Sequence, residues 1–170
     1  MDIEGDIILR EMDEADSKKL EEAFSGKVHG TTQLYTSYLE AGKEGKRTTL
    51  VAYYKGQVVG YATILWESDY EDFEEEGIPE ITDLEVLEPY KSKGIATKLM
   101  DELEKLALER SRYCGAGVGL AEAYAPAQKL YAKRGYEPDG KGIFYIEHTR
   151  IHEQLEIDDN QGLMMIKRLV

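Results

Sequence analysis

The chain has 170 residues, of which 42% are hydrophobic and four are proline, so its composition predicts one globular domain over residues 1–170. Its 34 acidic residues outweigh 21 basic ones and give a formal charge of −13, which disfavours nucleic acid as a partner and would attract a cationic small molecule or peptide. The apolar runs are far shorter than the ~20 residues that cross a bilayer, nothing resembles a signal peptide, and Cys114 is the single cysteine, so we expect a cytoplasmic protein without membrane segments.

The first half of the chain predicts a strand, two helices and a β-hairpin. Asp13 or Asp16 is the expected N-cap of the first helix, because an aspartate oxygen can accept hydrogen bonds from the first helical N–H groups. Lys55-Gly56 provides a tight turn between two runs rich in β-branched and aromatic residues. Seven acids within residues 67–76 indicate a loop. The predicted elements are a strand at 7–10, helices at 13–24 and 31–39, a loop at 42–47, and hairpin strands at 48–54 and 57–66.

The second half predicts alternating strands and helices, and the helix at 94–112 has the clearest pattern. Its apolar residues recur at helical spacing and form one stripe, while Asp101 and Lys105 are expected to pair on the outer face. Gly135 is expected to end the next helix in a left-handed conformation. The apolar stripe of the helix at 94–112 consists of Ile95, Leu99, Leu103, Leu106 and Ala107. The predicted elements are strands at 80–87 and 117–120, helices at 94–112 and 126–134, and final strands around 136, 144–146 and 163–169.

This order of elements predicts the fold class. A strand and two helices come first, followed by antiparallel strands and then by alternating helices and strands. The expected fold is a three-layer α/β domain in which a mixed, mostly antiparallel sheet is flanked by helices on both faces. No internal repeat and no shift in composition marks a second domain.

A strand, a tight turn and a long helix follow one another between residues 84 and 97. The start of a helix exposes N–H groups without intrahelical partners and carries a partial positive charge, so it binds anions. Gly94 would let a bulky phosphate approach the backbone, and Lys91 and Lys93 add positive charge in an acidic chain. An ordinary strand-to-helix turn with surface lysines explains the same residues, and physical reasoning alone leaves both interpretations open.

Two motifs resemble those of the GNAT superfamily of N-acetyltransferases. Residues 91–96, Lys-Ser-Lys-Gly-Ile-Ala, are similar to its acyl-coenzyme A signature: Arg or Gln, two residues, Gly, one residue, then Gly or Ala. Lys91 takes the Arg or Gln position and lacks the planar fork of arginine. Residues 127–136 resemble the later Ala-x-x-Leu-Tyr-x-Lys-x-Gly-Phe motif. One helix and one strand separate the motifs, as in that family, and the resemblance covers residues 80–137.

The resemblance implies a GNAT-like fold and acetyl-coenzyme A (acetyl-CoA) as the acyl donor. Its diphosphate would lie on the helix start, and the preceding strand would pair through its backbone with the pantetheine arm. Where the family often has an asparagine that contacts the cofactor, this chain has Tyr124, which could supply a hydroxyl or simply pack. The implied cofactor-binding residues are Leu84, Glu85, Val86, Lys91, Ser92, Lys93, Gly94, Ile95, Ala96, Thr97, Tyr124 and Tyr131.

Acyl transfer from a thioester to an amine needs a base for the amine, a donor to the carbonyl oxygen and an acid for the departing thiolate. The resemblance implies Tyr131 as the acid, Glu80 as a base acting through water, and a backbone N–H near Val86 for the oxygen. Asp83 and Glu85 are alternative bases on the same strand. The residues also allow other interpretations: Tyr131 could be only a core aromatic, Glu80 could simply continue the acidic loop, and ordered water could replace a single base.

The expected acceptor is a primary amine of a small molecule or peptide. Aromatic residues among acids suit a cation, although a merely solvated acidic loop explains the same pattern. His29, His148 and His152 lack metal-ligand spacing, so we expect no metal, and the segment 148–160 could shape the acceptor site or a homodimer contact. A catalytically silent acyl-CoA-binding or sensing module and an interaction protein without cofactor are the alternatives. The aromatic and acidic residues expected near the cationic acceptor are Tyr35, Tyr38, Trp66, Tyr70, Phe73, Glu67, Asp69, Glu71 and Asp72.

Overall fold

The computed structural model describes residues 3–25, 32–145 and 161–170. Within them, seven strands form one sheet in the order β1-β2-β3-β4-β5-β7-β6. The strands are β1 Ile7–Glu11, β2 Arg47–Tyr54, β3 Gln57–Leu65, β4 Glu80–Val86, β5 Tyr113–Gly119, β6 Glu137–Tyr145 and β7 Gln161–Arg168. The helices are α1 Asp16–Phe24, α2 Thr32–Lys43, α3 Glu71–Glu76, α4 Ile95–Leu108 and α5 Ala125–Lys133.

Neighbouring strands in the sheet are antiparallel with one exception, the parallel pair β4 and β5. The pairing of β4 with β5 covers only Glu80 opposite Gly115 and Ile81 opposite Ala116. Beyond Ile81 the two strands diverge, so the sheet opens in its middle. This gap is the feature of the fold that positions the candidate site.

Helices cover both faces of the sheet, which confirms the predicted three-layer arrangement. On one face α4 packs over the central strands, and Tyr131 of α5 belongs to the same buried cluster. On the other face α1 and α2 form a second cluster with β2 and β3, which includes Phe24 and Tyr61. Phe73 of α3 lies on that second face, where its ring closes against Gly115 of β5.

Most predicted elements are confirmed, including the hairpin turn and the apolar stripe of α4. Lys55 and Gly56 have φ values of 50° and 78°, as expected of a two-residue turn whose twist matches the strands. Ile95, Leu99 and Leu103 are at most 1% exposed and face the sheet. The fold class predicted from the sequence is therefore the observed one.

The acidic segment 67–76 is not entirely a loop, because α3 forms in its second half. Phe73 is 3% exposed and provides one apolar contact that fixes the short helix to the sheet. Gly77 ends the helix with a left-handed φ of 69°. The count of acids concealed this single buried aromatic, and the prediction of a loop was wrong there.

The expected cap of the first helix is confirmed in part. The residue directly before α1 is Ala15, which makes no side-chain capping bond, but Asp13 accepts the N–H of Ala15 at 2.9 Å and donates its own N–H to Asp16 at 2.8 Å. Asp16 is fully buried and turns to the sheet, where it binds the guanidinium of Arg10 at 2.7 Å and the hydroxyl of Tyr53. Arg10, Tyr53 and the N–H of Asp13 together satisfy this buried carboxylate.

Asp101 and Lys105 do not pair with each other. Arg134, just after α5, reaches Asp101 at 2.7 Å and also binds Glu104, whereas Lys105 pairs with Glu102 at 3.1 Å. The guanidinium can bind two carboxylates at once, which an exposed lysine four residues away cannot match.

Several element boundaries also differ from the predictions. Helix α2 continues to Lys43, α4 ends at Leu108, and β5 begins at Tyr113 because it pairs with β7 from that residue onward.

Candidate active site

The start of α4 forms a main-chain cradle next to the end of β4. Gly94 is the N-cap of this helix and has a φ of 86°, and Ser92 has a φ of 61°. The N–H of Lys98 donates to the carbonyl of Gly94 at 3.0 Å, so the N–H groups of residues 95–97 precede the first intrahelical bond. Ile95 is 1% exposed, and so its contribution to the cradle is its backbone rather than its side chain.

Glu4 stands beside this cradle. A Cβ placed on Gly94 would lie 3.4 Å from the carboxyl carbon of Glu4. Lys98 holds the N-terminal segment there, because its Nζ donates to the carbonyls of Glu4 at 3.2 Å and Ile7 at 2.9 Å. Lys91 pairs with Glu88 at 2.9 Å. An anion at the cradle therefore meets main-chain N–H groups and lysines but also two carboxylates.

A β-bulge in β4 shapes the gap between β4 and β5. Tyr61 stands opposite Glu85 and Thr63 opposite Thr82, so Asp83 and Leu84 together face one residue of β3. Asp83 has a φ of 55°, in the left-handed region that few residues other than glycine occupy and in which aspartate is among the better tolerated. The bulge bends β4 away from β5 just where their pairing ends.

The bulge also determines which side chains of β4 face which layer. Leu84 and Val86 pack against the cluster under α4, whereas Glu85 stands directly opposite Tyr61, which belongs to the cluster under α1 and α2. The side chain of Glu85 therefore lies on the face of α1 and α2, and its backbone is the part that borders the gap.

Gly60 brings β4 and the start of α4 together. A Cβ on this residue would lie 2.9 Å from the carbonyl oxygen of Glu85 and 3.3 Å from Cγ2 of Ile95. Any larger residue would push the cradle away from the strand. The sequence analysis did not single out Gly60, although a glycine inside an otherwise β-branched strand signals a close backbone approach.

Glu80 is a carboxyl group with an altered proton affinity. It lies at the start of β4, and the hydroxyl of Ser68 donates to its Oε1 at 2.6 Å. Burial raises the pKa of Glu80 to about 7, with Asp69 and Asp83 adding to the rise and Ser68 opposing it. A carboxylate with this pKa can accept a proton near neutral pH and release it again.

Tyr131 lies on α5 with its side chain buried beneath that helix. It is 4% exposed, and its ring centroid is 5.5 Å from that of Tyr136. Burial raises the pKa of Tyr131, and the nearby charges of Glu80 and Asp83 raise it further. The phenol therefore keeps its proton at neutral pH, and the structure brings it within electrostatic range of Glu80.

Tyr124 packs against the end of β5. A Cβ on Gly119 would come within 2.3 Å of its ring, and the amide of Gln128 donates to the carbonyl of Gly119 at 2.8 Å. Of the two roles considered for Tyr124, packing is the one that these contacts describe.

An open pocket borders Ser68 on the face opposite α4. Its volume is about 380 Å³. Arg47, on its wall, pairs with Asp83 at 2.8 Å and stacks on Tyr38 with its guanidinium carbon 3.7 Å from the ring centroid. The lining residues are Ala41, Lys46, Arg47, Leu65, Glu67, Ser68, Asp69 and Glu74.

The aromatic residues expected around the acceptor are mostly engaged elsewhere. Tyr35, Tyr38 and Phe73 are buried in the two clusters on this face. The hydroxyl of Tyr70 donates to Asp139 at 2.6 Å, and Trp66 stacks on Arg110. Acids therefore characterise this pocket more than exposed aromatic rings do.

The described residues show neither a cluster of metal ligands nor a helix that could cross a membrane. Residues 3–25, 32–145 and 161–170 contain no group of three or more His, Cys, Asp or Glu side chains placed to hold a metal ion. His29, His148 and His152 lie outside the described residues, as does the whole segment 148–160. No helix in the described part of the chain is both long and apolar enough to cross a bilayer.

The overall shape resembles solved acetyltransferase structures. A protein from Desulfovibrio desulfuricans assigned to the GNAT family matches with a TM-score of 0.73 at 14% identity, covering 96% of this chain and 99% of that one. The ribosomal-protein-alanine N-acetyltransferase from Brucella melitensis gives 0.71 at 22% identity, with 95% and 99% covered. A protein from Salmonella typhimurium, assigned as an acetyltransferase and solved with acetyl-CoA, gives 0.69 at 18%, with 97% and 95% covered.

A mixed sheet opened between β4 and β5, with a helix start at the opening, defines the fold of an acyltransferase of the GNAT type. The family model described as the acetyltransferase (GNAT) family matches residues 11–136. The chain therefore belongs to the GNAT acetyltransferase family, whose enzymes use acetyl-CoA as co-substrate. A comparison with curated proteins gives no match.

Proposed function

We propose that this protein is an N-acetyltransferase that moves the acetyl group of acetyl-CoA directly to a primary amine of a small molecule or peptide. The observation that carries the proposal is the position of Glu80, which accepts a hydrogen bond from Ser68 at the start of the strand that borders the gap, where burial raises its pKa to about 7. A carboxylate with this pKa suits removal of a proton from an alkylammonium ion, whose ordinary pKa is about 10.

The cradle is proposed to hold the acyl donor. The N–H groups at the start of α4 would bind the diphosphate, together with Lys91, Ser92, Lys93 and Thr97. The backbone of residues 84–86 would pair with the pantetheine arm along the side of β4 that β5 leaves free. The contact of Gly60 with Glu85 and Ile95 supports this arrangement, because it keeps the strand and the helix start close together.

The chemistry is divided between two residues. Glu80 takes a proton from the ammonium group of the acceptor, directly or through water. The free amine then attacks the thioester carbonyl, so that a C–N bond forms and the C–S bond breaks, with a main-chain N–H near Val86 stabilising the carbonyl oxygen. Tyr131 gives its proton to the departing sulfur, and the proton that the new amide loses returns to Tyr131 through solvent. Glu80 releases its own proton to solvent.

The acceptor is proposed to be cationic. The pocket next to Ser68 has three acids, Glu67, Asp69 and Glu74, against two basic residues. Both basic residues are already paired, Lys46 with Glu44 at 3.0 Å and Arg47 with Asp83. The remaining negative charge would attract a polyamine, an aminoglycoside or a basic peptide.

A thiol-release assay with acetyl-CoA tests the function. The panel contains polyamines, aminoglycosides, amino acids and basic peptides, and mass spectrometry checks each product for one added acetyl group. We expect turnover with at least one cationic amine and an acetylated amine nitrogen in the product. Binding of coenzyme A without turnover across the panel would instead favour a silent acyl-CoA-binding or sensing module.

A further inference from the structure

We propose that Ser68 is a positioning residue for the base: its hydroxyl fixes one oxygen of the Glu80 carboxylate and leaves the other to take the proton of the acceptor. This inference rests on the proposed function of Glu80. It assigns a role to Ser68 in the segment between β3 and α3, where the sequence analysis considered only the acidic and aromatic residues.

The side-chain oxygen of Ser68 takes part in two hydrogen bonds. The side chain is buried, and its Oγ accepts the N–H of Tyr70 at 3.0 Å. The same Oγ lies 2.6 Å from Oε1 of Glu80. An ionised carboxylate can only accept, so the hydroxyl of Ser68 donates its single proton to Oε1 when Glu80 is ionised. A charge-assisted bond of this kind favours the ionised form of Glu80.

The segment that holds Ser68 is itself fixed to the sheet. Phe73 follows five residues later in α3, and its ring lies so close to Gly115 that a Cβ there would be 2.0 Å from it. Gly115 is the residue of β5 that stands opposite Glu80. The helix that carries Phe73 is thus packed against β5 at the residue opposite Glu80. This packing fixes the backbone near Ser68 next to Glu80.

The charges around Glu80 explain why this bond matters. Asp69 of the same segment and Asp83 of β4 both raise the pKa of Glu80, although burial raises it most. Arg47 of β2 is paired with Asp83, and Tyr131 of α5 and Cys114 of β5 both sense the charge of Glu80. Ser68 is the group here that acts in the opposite direction. Without it, Glu80 would hold its proton to higher pH and would be a poorer base at neutral pH.

The test compares the pH dependence of kcat/KM in three variants. Ser68→Ala removes the hydroxyl, Ser68→Thr keeps it, and Ser111→Ala is the matched control. Ser111 accepts the N–H of Tyr113 at 3.1 Å, two residues on, just as Ser68 accepts that of Tyr70. Ser111→Ala therefore removes the same kind of side-chain hydrogen bond at a half-buried site that has no bond to Glu80.

We expect Ser68→Ala to move the acidic limb of the profile upward by about 0.5–1 pH unit, which lowers kcat/KM near pH 6.5 by roughly 3- to 10-fold. At pH 9 the variant should approach the wild-type value. Ser68→Thr should restore the wild-type limb, and Ser111→Ala should not move it. An unmoved limb in Ser68→Ala, or an equal movement in Ser111→Ala, overturns the proposal.

A second measurement separates this inference from the proposed function. The side-chain carboxyl carbon of Glu80 is followed by NMR against pH, with Glu80→Gln used to assign its signal. The titration midpoint should rise in Ser68→Ala whether or not an acceptor is known. If no amine is acetylated but the midpoint rises, the proposed function fails while the contact between Ser68 and Glu80 stands. A midpoint that does not change overturns the positioning role itself.

Discussion

Glu80 has a pKa suited to the proposed proton transfer, but its ionised form lowers the stability of the folded protein. Burial raises the pKa of this carboxyl from 4.5 to about 7, and two neighbouring carboxylates add to the rise. A group in this situation must be ionised inside the protein whenever the pH exceeds its pKa, although water would solvate the charge better. Proteins keep such groups where activity needs them and stability alone would remove them.

The stability of the Glu80→Gln variant should depend on pH in a defined direction. Between pH 4.5 and about 7 the folded protein keeps a proton on Glu80 that the unfolded chain has released, so the free energy of unfolding falls as pH rises through this window. Glutamine has no such proton. The free energy of unfolding of the variant, measured relative to that of wild type, should therefore be roughly 2–3 kcal/mol higher at pH 8 than at pH 4. Urea unfolding at both pH values measures this difference, and an equal effect of the substitution at both would show that Glu80 has an ordinary pKa.

In the proposed mechanism Tyr131 acts through its hydroxyl and not through its ring. The ring packs beside Tyr136 in the main core, and phenylalanine would preserve that packing. Tyr131→Phe should therefore leave the melting temperature and the KM for acetyl-CoA nearly unchanged while lowering kcat by roughly 10²-fold. Steady-state kinetics with a thiol-release assay provides both parameters. A wild-type kcat would remove Tyr131 from the mechanism and leave it a core aromatic.

At the scale of elements, the site depends on a helix start and a strand end held together. Gly94 gives α4 its left-handed N-cap, and Gly60 allows β4 to approach the helix. The cradle is therefore made largely of backbone. Substitutions that change the backbone conformation should affect binding of the donor more than substitutions of the surrounding lysines.

Gly94→Val should abolish binding of coenzyme A while the fold survives, because a β-branched residue is strained at a φ of 86°. Gly45→Val is the matched control: its φ is 74°, nothing lies within 4 Å of a Cβ there, and it lies in the turn between α2 and β2. Calorimetric titration with coenzyme A should detect binding to the control but not to Gly94→Val. Wild-type affinity in Gly94→Val would refute the assignment of the cradle.

The sequence predicted these elements well where a local pattern encodes them. The stripe on α4 and the turn at Lys55 and Gly56 are such patterns, and both were confirmed. The bulge at Asp83 could not be predicted, because it depends on the register between β3 and β4 and not on a residue preference. Helix α3 was missed because one buried side chain, Phe73, outweighs the acids around it.

The candidate site was predictable in part for the same reason. The helix start and Tyr131 each lie within a motif of consecutive residues, so the sequence alone could identify them. The hydrogen bond between Ser68 and Glu80 joins two residues that are twelve positions apart in the chain, and no local sequence pattern predicts it. The acidic segment was expected to matter for its charge, whereas the structure shows that its serine makes the direct contact.

At the scale of the whole molecule, the divergence of β4 and β5 joins two layers that are otherwise separated by the sheet. The cradle and Tyr131 lie with α4 and α5, whereas Ser68 and the acidic pocket lie with α1, α2 and α3. The donor and the acceptor would therefore approach from opposite faces and meet in the gap. This arrangement keeps the anionic donor away from the acids that would attract a cationic amine.

A crystal structure of the protein with coenzyme A bound tests this account most directly. The diphosphate oxygens should lie within hydrogen-bond distance of main-chain N–H groups in residues 92–96, and the thiol should lie between β4 and β5 beside Tyr131. A diphosphate bound at another place on the molecule, or a thiol directed away from the gap, would contradict it.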